Sequence, residues 1–204
     1  MLLSVKDSGE KLLARDEDAV KKLMEALVGV GIAMAYVGNS RPASGSEHHM
    51  SHFFEVTGIM NNEPYFMHGT DVLYSAYYTE KIREELISLS EVKAKSIFSK
   101  DEWAKKIREI YASAAEGVIA LQEKLGWYNE DKMPVYKEKW TDIVKVLSEV
   151  PSSSELLSLI ESIGLDINEF DKLYGEEKIK NAMLYAKDLK DRYSVLWLYH
   201  KLMA

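Results

Sequence analysis

The chain of 204 residues contains no cysteine, only four prolines, and no run of lysine or arginine longer than two residues. The first absence excludes disulfides, thiolate metal ligands and a cysteine nucleophile, and it fits a reducing cytoplasm. The lack of basic runs, together with a net charge of −7, argues against a nucleic-acid partner, because binding phosphate backbones needs a basic footprint. Long apolar runs are missing too. The longest, "ALVGVGIAMAYVG" from Ala26 to Gly38, falls short of the roughly 20 residues that span a bilayer. It also lies too deep in the chain for a signal peptide. It reads as a buried core helix, and neither a membrane nor a targeting segment is expected. Alternating strand patterns, internal repeats and low-complexity linkers are absent as well. No glycine-rich strand-to-helix turn occurs, so the dinucleotide-binding fingerprint is missing.

What is present is helical. Apolar residues at 47% and charged residues at 29% are ordinary for one packed domain. "DEDAVKKLMEALVGVGIAMAYVG" opens on an acidic first turn, carries Leu23, Leu27, Val30 and Met34 at helical spacing, and stops at Gly38. Gly29 and Gly31 weaken this helix or let another backbone come close. A second helix is predicted from about Ser46, and "TGIMNNEPYF" reads as a connector. His68 then begins a long helical stretch. "SKDEWAKKIREIYASAAEGVIALQEKLG" reads as one helix, with Ser99 as N-cap, Glu102 completing a capping box and Gly126 as terminator. Ser152 or Ser153 caps a shorter helix, and "EEKIKNAMLYAKDLKDRYSVLWLYHKLM" reads as the last. The expected fold is a single all-α helical bundle over residues 1–204.

Four of the five histidines fall within 21 residues: His48, His49, His52 and His68. On a helix His48 and His52 share one face (i, i+4), whereas His49 points about 100° away and is read as structural or exposed. Two imidazoles one turn apart can serve one ion, with a third from the next helix start. The plain alternative is a polar helix face. Neutral imidazole suits zinc, nickel or iron. His200 lies far off in sequence and is left outside the site. Lys/Glu-rich stretches read as solvated faces, and Trp103, Tyr111, Trp127, Tyr128, Trp140, Tyr193 and Trp197 as core or interface.

The stretch "SRPASGSEHHMSHFFE" resembles a signature of the sn-glycerol-1-phosphate dehydrogenases, the bacterial branch in particular. These belong to the superfamily of dehydroquinate synthases, glycerol dehydrogenases and iron-containing alcohol dehydrogenases. "LMEALVGVGIAMAYVGN", "FMHGTDV", "VPSSSELLSLIESIGL" and "AKDLKDRYSVLWL" are similar in the same order, so the resemblance covers almost the whole chain. It implies a C-terminal helical domain of the dehydroquinate synthase-like kind, carrying most of a metal site. In that family an N-terminal domain binds NAD(P); here that domain is absent from the sequence. The resemblance further implies a divalent metal, zinc or nickel with iron as a third candidate, held by His48 and His68. His52 matches the position that contacts substrate or relays a proton at the reacting oxygen. The reaction implied is reversible reduction of dihydroxyacetone phosphate with NAD(P)H, the metal polarising the carbonyl and histidine handling the proton.

Arg41 and Ser44 are candidates for the substrate's phosphate, since guanidinium groups clamp such anions; the alternative for Arg41 is a helix cap or an ion pair. Glu47 either orients a ligand imidazole or is simply a helix N-terminal acid. The sequence also departs from the family. The family's aspartate ligand lies farther upstream than this sequence reaches, and Asp7, Glu10, Asp16 and Asp18 have neither its motif nor its spacing. Leu73, Tyr74 and Ser75 stand where small residues are usual, and Trp197 where a polar one is commoner. The expected partners are a phosphorylated triose or glycerol, a separate nucleotide-binding chain and a second copy in a homo-oligomer. The isolated chain is expected not to turn over. A second reading is a stand-alone, non-catalytic helical interaction module whose histidines are relics, favoured if Leu73 and Tyr74 crowd the cleft.

Overall fold

The computed structural model describes residues 5, 8–95 and 98–203. Among them there are ten α-helices and no strand, an all-α fold as the periodicity predicts. They are α1 (Gly9–Leu13), α2 (Glu17–Val37), α3 (Ser46–Asn61), α4 (His68–Ile87), α5 (Lys100–Tyr111), α6 (Ala115–Leu125), α7 (Met133–Leu147), α8 (Ser153–Ser162), α9 (Ile167–Tyr185) and α10 (Val195–Leu202).

The boundaries follow local chemistry. Asp16 accepts the Ala19 N–H at 2.9 Å and starts α2, and Gly38, at φ 74°, ends it. Ser99 caps α5, Gly126 at φ 70° ends α6, and Ser152 forms a capping box with Glu155 on α8. Two stretches read as single helices are broken. The segment after Ser99 divides at Ala112, whose φ of +45° no α-helix contains, and a 3₁₀ turn over Ala112–Ala114 joins α5 to α6. The last segment divides likewise, where a 3₁₀ turn at Ala186–Leu189 and an extended stretch separate α9 from α10. α3 also runs on through Asn61, so only residues 62–67 remain as connector.

α4 is the centre of the bundle, packed against α3, α7, α8, α9 and α10. Met50, Phe53 and Phe54 of α3 meet Tyr74, Ile82 and Leu86 of α4, all 0–1% exposed. An aromatic cluster fills the adjoining space: Phe54 stacks on Tyr174 with ring centres 4.0 Å apart and meets Phe170 edge-on at 5.1 Å. Tyr74 packs against Phe66 and Phe170. It is therefore a core residue and does not crowd a cleft. Leu73 is partly buried against the same core.

The helix read as core departs from that reading. α2 buries Ala19 and Ala26 but leaves Leu27 56%, Ile32 65% and Tyr36 94% exposed. A Cβ added at Gly31 would meet no other atom within 4 Å. A helix apolar on all sides normally lies inside a protein, and here most of its circumference is open. Among the described residues no helix is long and apolar enough to cross a membrane.

Candidate metal centre

The face of α3 opposite Phe53 and Phe54 carries His48, His52 and Glu55. Steps of four and three residues keep all three on one stripe, while Met50, Phe53, Phe54 and Thr57 fix the rotation of the helix by their burial. His68 comes from the first residue of α4, and the connector must double back to deliver it. Gly58 permits that return: a Cβ there would lie 2.6 Å from the Tyr65 ring and 3.1 Å from the Glu63 carbonyl. Asn62, at φ 53°, makes the turn. Tyr174 then pegs the start of α4, its hydroxyl accepting the Phe66 N–H at 3.1 Å and donating to Asp71 Oδ2 at 2.9 Å.

The three imidazoles singled out in the sequence converge. Ring centres lie 6.4 Å apart for His48 and His52, 5.4 Å for His48 and His68, and 5.2 Å for His52 and His68. His52 Nδ1 donates to Glu55 Oε2 at 2.9 Å, and His68 Nδ1 lies 3.3 Å from Glu55 Oε1 and from Ser51 Oγ. Ligating atoms of His52, Glu55 and His68 all fall within 4.8 Å of one another. Two imidazoles with one carboxylate are a donor set that suits zinc and its neighbours. His48 stands beside this group without being part of it.

Glu47 is an acid of the first turn of α3 and also holds an imidazole. It accepts from His48 Nδ1 at 2.9 Å and from the Gly45 N–H at 2.7 Å. Burial pushes its carboxyl up, but the bonds from His48, from Gly45 and from its own backbone outweigh that, and its pKa lies below the ordinary value. An ionised Glu47 fixes the Nδ1–H tautomer of His48 and leaves Nε2 with its lone pair. The His52 pKa is lowered, first by burial and then by the Lys190 charge, with Glu55 opposing. His52 is thus neutral at pH 7, the form that accepts a proton or an ion.

Other expected residues lie elsewhere. Arg41 and Ser44 line a separate cleft with His49, Arg83 and Arg192. His49 is fully buried, the structural one of its two readings. His200 packs edge-on against Tyr128, in the aromatic region around Trp197. Asp7 lies outside the described residues. The sequence reading passed over Glu55, although its place three residues after His52 was a usable signal. Arg192 and Lys190 carried no local signal at all.

No family model matches the chain, and no solved structure matches it. Curated proteins do. The chain is 29% identical over 192 residues to the glycerol-1-phosphate dehydrogenase (NAD(P)+) of Bacillus licheniformis, covering 93% of this chain and 37% of that protein. It is 24% identical over 191 residues to the enzyme of the same name from Halalkalibacterium halodurans, covering 94% and 40%. Over a shorter stretch of 58 residues it is 45% identical to that of Korarchaeum cryptofilum, 27% of this chain and 18% of that one. The chain resembles the glycerol-1-phosphate dehydrogenases. The similarity runs along about nine tenths of it, while the chain itself spans about two fifths of the first two relatives.

Proposed function

We propose that this chain is the metal- and substrate-binding part of a glycerol-1-phosphate dehydrogenase, completed by a nucleotide-binding polypeptide. The observation that carries the reading is the convergence of His48, His52, His68 and Glu55 on one patch, in a chain similar to these enzymes over most of its length. An ion held there, zinc or nickel in the first instance, would polarise a carbonyl oxygen or stabilise an alkoxide. The resemblance assigns the ion to His48 and His68 and the proton to His52. The atomic distances favour a second arrangement, in which His52, Glu55 and His68 hold the ion and His48, oriented by Glu47, faces the reacting oxygen. His68 belongs to both.

In either arrangement a neutral imidazole receives the hydroxyl proton when the alcohol is oxidised, and the imidazolium so formed returns it when the carbonyl is reduced. Arg41 and Ser44 are assigned to the phosphate of the phosphorylated triose or glycerol. The nicotinamide is assigned to the nucleotide-binding polypeptide. Hydride transfer therefore falls to the assembled protein, and the exposed apolar surface of α2 is assigned as the contact for that polypeptide or for a second copy.

The test is calorimetric titration of zinc and nickel into the purified chain. Micromolar or tighter binding that His68→Ala abolishes supports the reading, and absence of binding overturns it. Retention in His48→Ala with loss in Glu55→Gln selects the second arrangement; the reverse selects the first. Sedimentation of the chain with and without a separately expressed nucleotide-binding polypeptide tests the partner.

A further inference from the structure

α2 stands outside the packed core. The cluster of buried hydrophobic residues draws on every helix from α3 to α10 and, among the described residues, takes none from α2. The elements α2 packs against most are its sequence neighbours, α1 and the 3₁₀ turn at Arg41–Ala43. At 100° per residue, Ala19, Leu23, Ala26, Val30 and Met34 form one seam, buried or half-buried. A second seam lies beside it, made of Val20, Met24, Leu27, Gly31 and Ala35 and widened by Val28, Ile32 and Tyr36. Both run in steps of three and four, the spacing that lets one helix lie along another. The side chains of the second seam are all exposed, and a Cβ added at Gly31 would meet nothing within 4 Å.

Size, shape and charge say what covers this seam. The accessible fractions of Val20, Met24, Leu27, Val28, Ile32 and Tyr36 amount to roughly 700 Å², close to the ~800 Å² that each partner gives to a stable interface. The seam is also graded, with Val20, Met24 and Leu27 bulky and Gly31 and Ala35 small. A copy laid antiparallel and crossing near Leu27 and Val28 sets the bulky end of each helix against the small end of the other. A parallel copy would face Gly31 with Gly31 and Ala35 with Ala35, and leave gaps. Charge selects the same direction. Asp16, Glu17 and Asp18 are exposed at the start of α2, whereas residues 26–40 carry no charge. Parallel pairing would bring the two acidic turns together, and antiparallel pairing sets each beside the uncharged end of the other copy. Both halves of the fit lie on one helix, which is the condition for an isologous two-fold contact.

We propose that α2 pairs antiparallel with α2 of a second copy, about a two-fold axis near Leu27 and Val28, so that the chain is a homodimer. The proposal rests on the assignment of the exposed α2 surface to a partner. It commits that surface to a second copy and leaves the nucleotide-binding polypeptide another face. It does not depend on the imidazole centre of α3 and α4.

The test uses the full chain. Sedimentation equilibrium across the micromolar range should show a dimer. Leu27→Glu, an exposed change outside the core, should weaken it about a hundredfold while helix content and melting temperature stay. Direction is read by cross-linking, because the chain has no cysteine of its own. With a short thiol-to-thiol reagent, Val20→Cys chains mixed with Ala35→Cys chains should join to each other. Neither should join to itself, since like positions then lie about 22 Å apart along the axis at 1.5 Å per residue. Leu27→Cys, beside the two-fold, should join to itself. A monomer at every concentration, a dimer indifferent to Leu27→Glu, or Val20→Cys joining to itself overturns the proposal. If Leu27→Glu unfolds, the cross-linking pattern decides alone. A chain that stays monomeric until a separately expressed nucleotide-binding polypeptide is added, and loses that complex with Leu27→Glu, gives the face to the polypeptide and overturns self-pairing. Zinc titration of the same sample keeps the readings apart. A dimer that binds no zinc sinks the metal centre alone, and a zinc-binding monomer sinks the self-pair alone.

Discussion

Replacing Tyr174 with Phe removes one oxygen from a buried chain of three groups and leaves the ring that stacks on Phe54. Asp71 is fully buried and its Oδ1 already has no partner; without the Tyr174 hydroxyl both its oxygens would be orphaned, and the half-buried Phe66 N–H with them. At about 1–3 kcal/mol per unmet buried group, the loss comes to about 2–4 kcal/mol, or about 5–15 °C in melting temperature for a chain of this size. The pH dependence gives the sharper test. Burial raises the Asp71 pKa from 3.8 to about 7, against the lowering effect of the Tyr174 bond. Between these values the folded chain keeps a proton that the unfolded chain releases, so stability is highest below about pH 4 and is lost as pH rises toward 7. At about 1.4 kcal/mol per pKa unit, this costs at most about 4 kcal/mol. Asp71→Asn should remove that component. Tyr174→Phe, by taking away the bond that favours the ionised form, should carry the loss to higher pH. Urea denaturation of the three proteins from pH 4 to 8 checks this. Identical pH slopes for the wild type and Asp71→Asn would refute the reasoning, as would full additivity of Tyr174→Phe with Asp71→Leu, since removing both partners leaves nothing unmet.

Three other outcomes are expected. Glu55→Gln keeps the shape but removes the charge between His52 and His68, and should weaken zinc binding by tenfold or more, roughly the effect of losing a supporting carboxylate, as read by calorimetry. Gly58→Ala forces the Tyr65 ring and the Glu63 carbonyl away. It should cost about 1–3 kcal/mol and loosen His68, visible as a broadened His68 ring resonance while His48 stays sharp. Phe54→Ala opens a cavity beside Phe170 and Tyr174 and should cost about 3–5 kcal/mol in thermal or urea unfolding.

How much of this was legible in the sequence depends on the reach of each signal. Helix starts and stops were readable wherever one residue does the work, as at Asp16, Gly38, Ser99, Gly126 and Ser152. Ala112 defeated the pattern, because an alanine at φ +45° contradicts its own helix propensity; it is itself exposed, between the buried Tyr111 and Ala115. The histidine cluster could be read because periodicity places His48 and His52 together, and Glu55 was available from the same periodicity. Tyr74 shows the opposite error. Its position after the His-Gly motif suggests a residue in the cleft, yet the 100° steps of α4 turn it into the core against Phe66 and Phe170. Arg192 meets the Ser40–Ser44 loop across about 150 residues of chain, and no local pattern encodes such a meeting. The same holds for His49. Its burial could follow from helix geometry, but its lack of partners exists only once Arg192 and Ser194 stand opposite. The histidine stripe is therefore written along one helix face and could be read from sequence, whereas the cleft at the Ser40–Gly45 loop is assembled between segments and emerges only on folding.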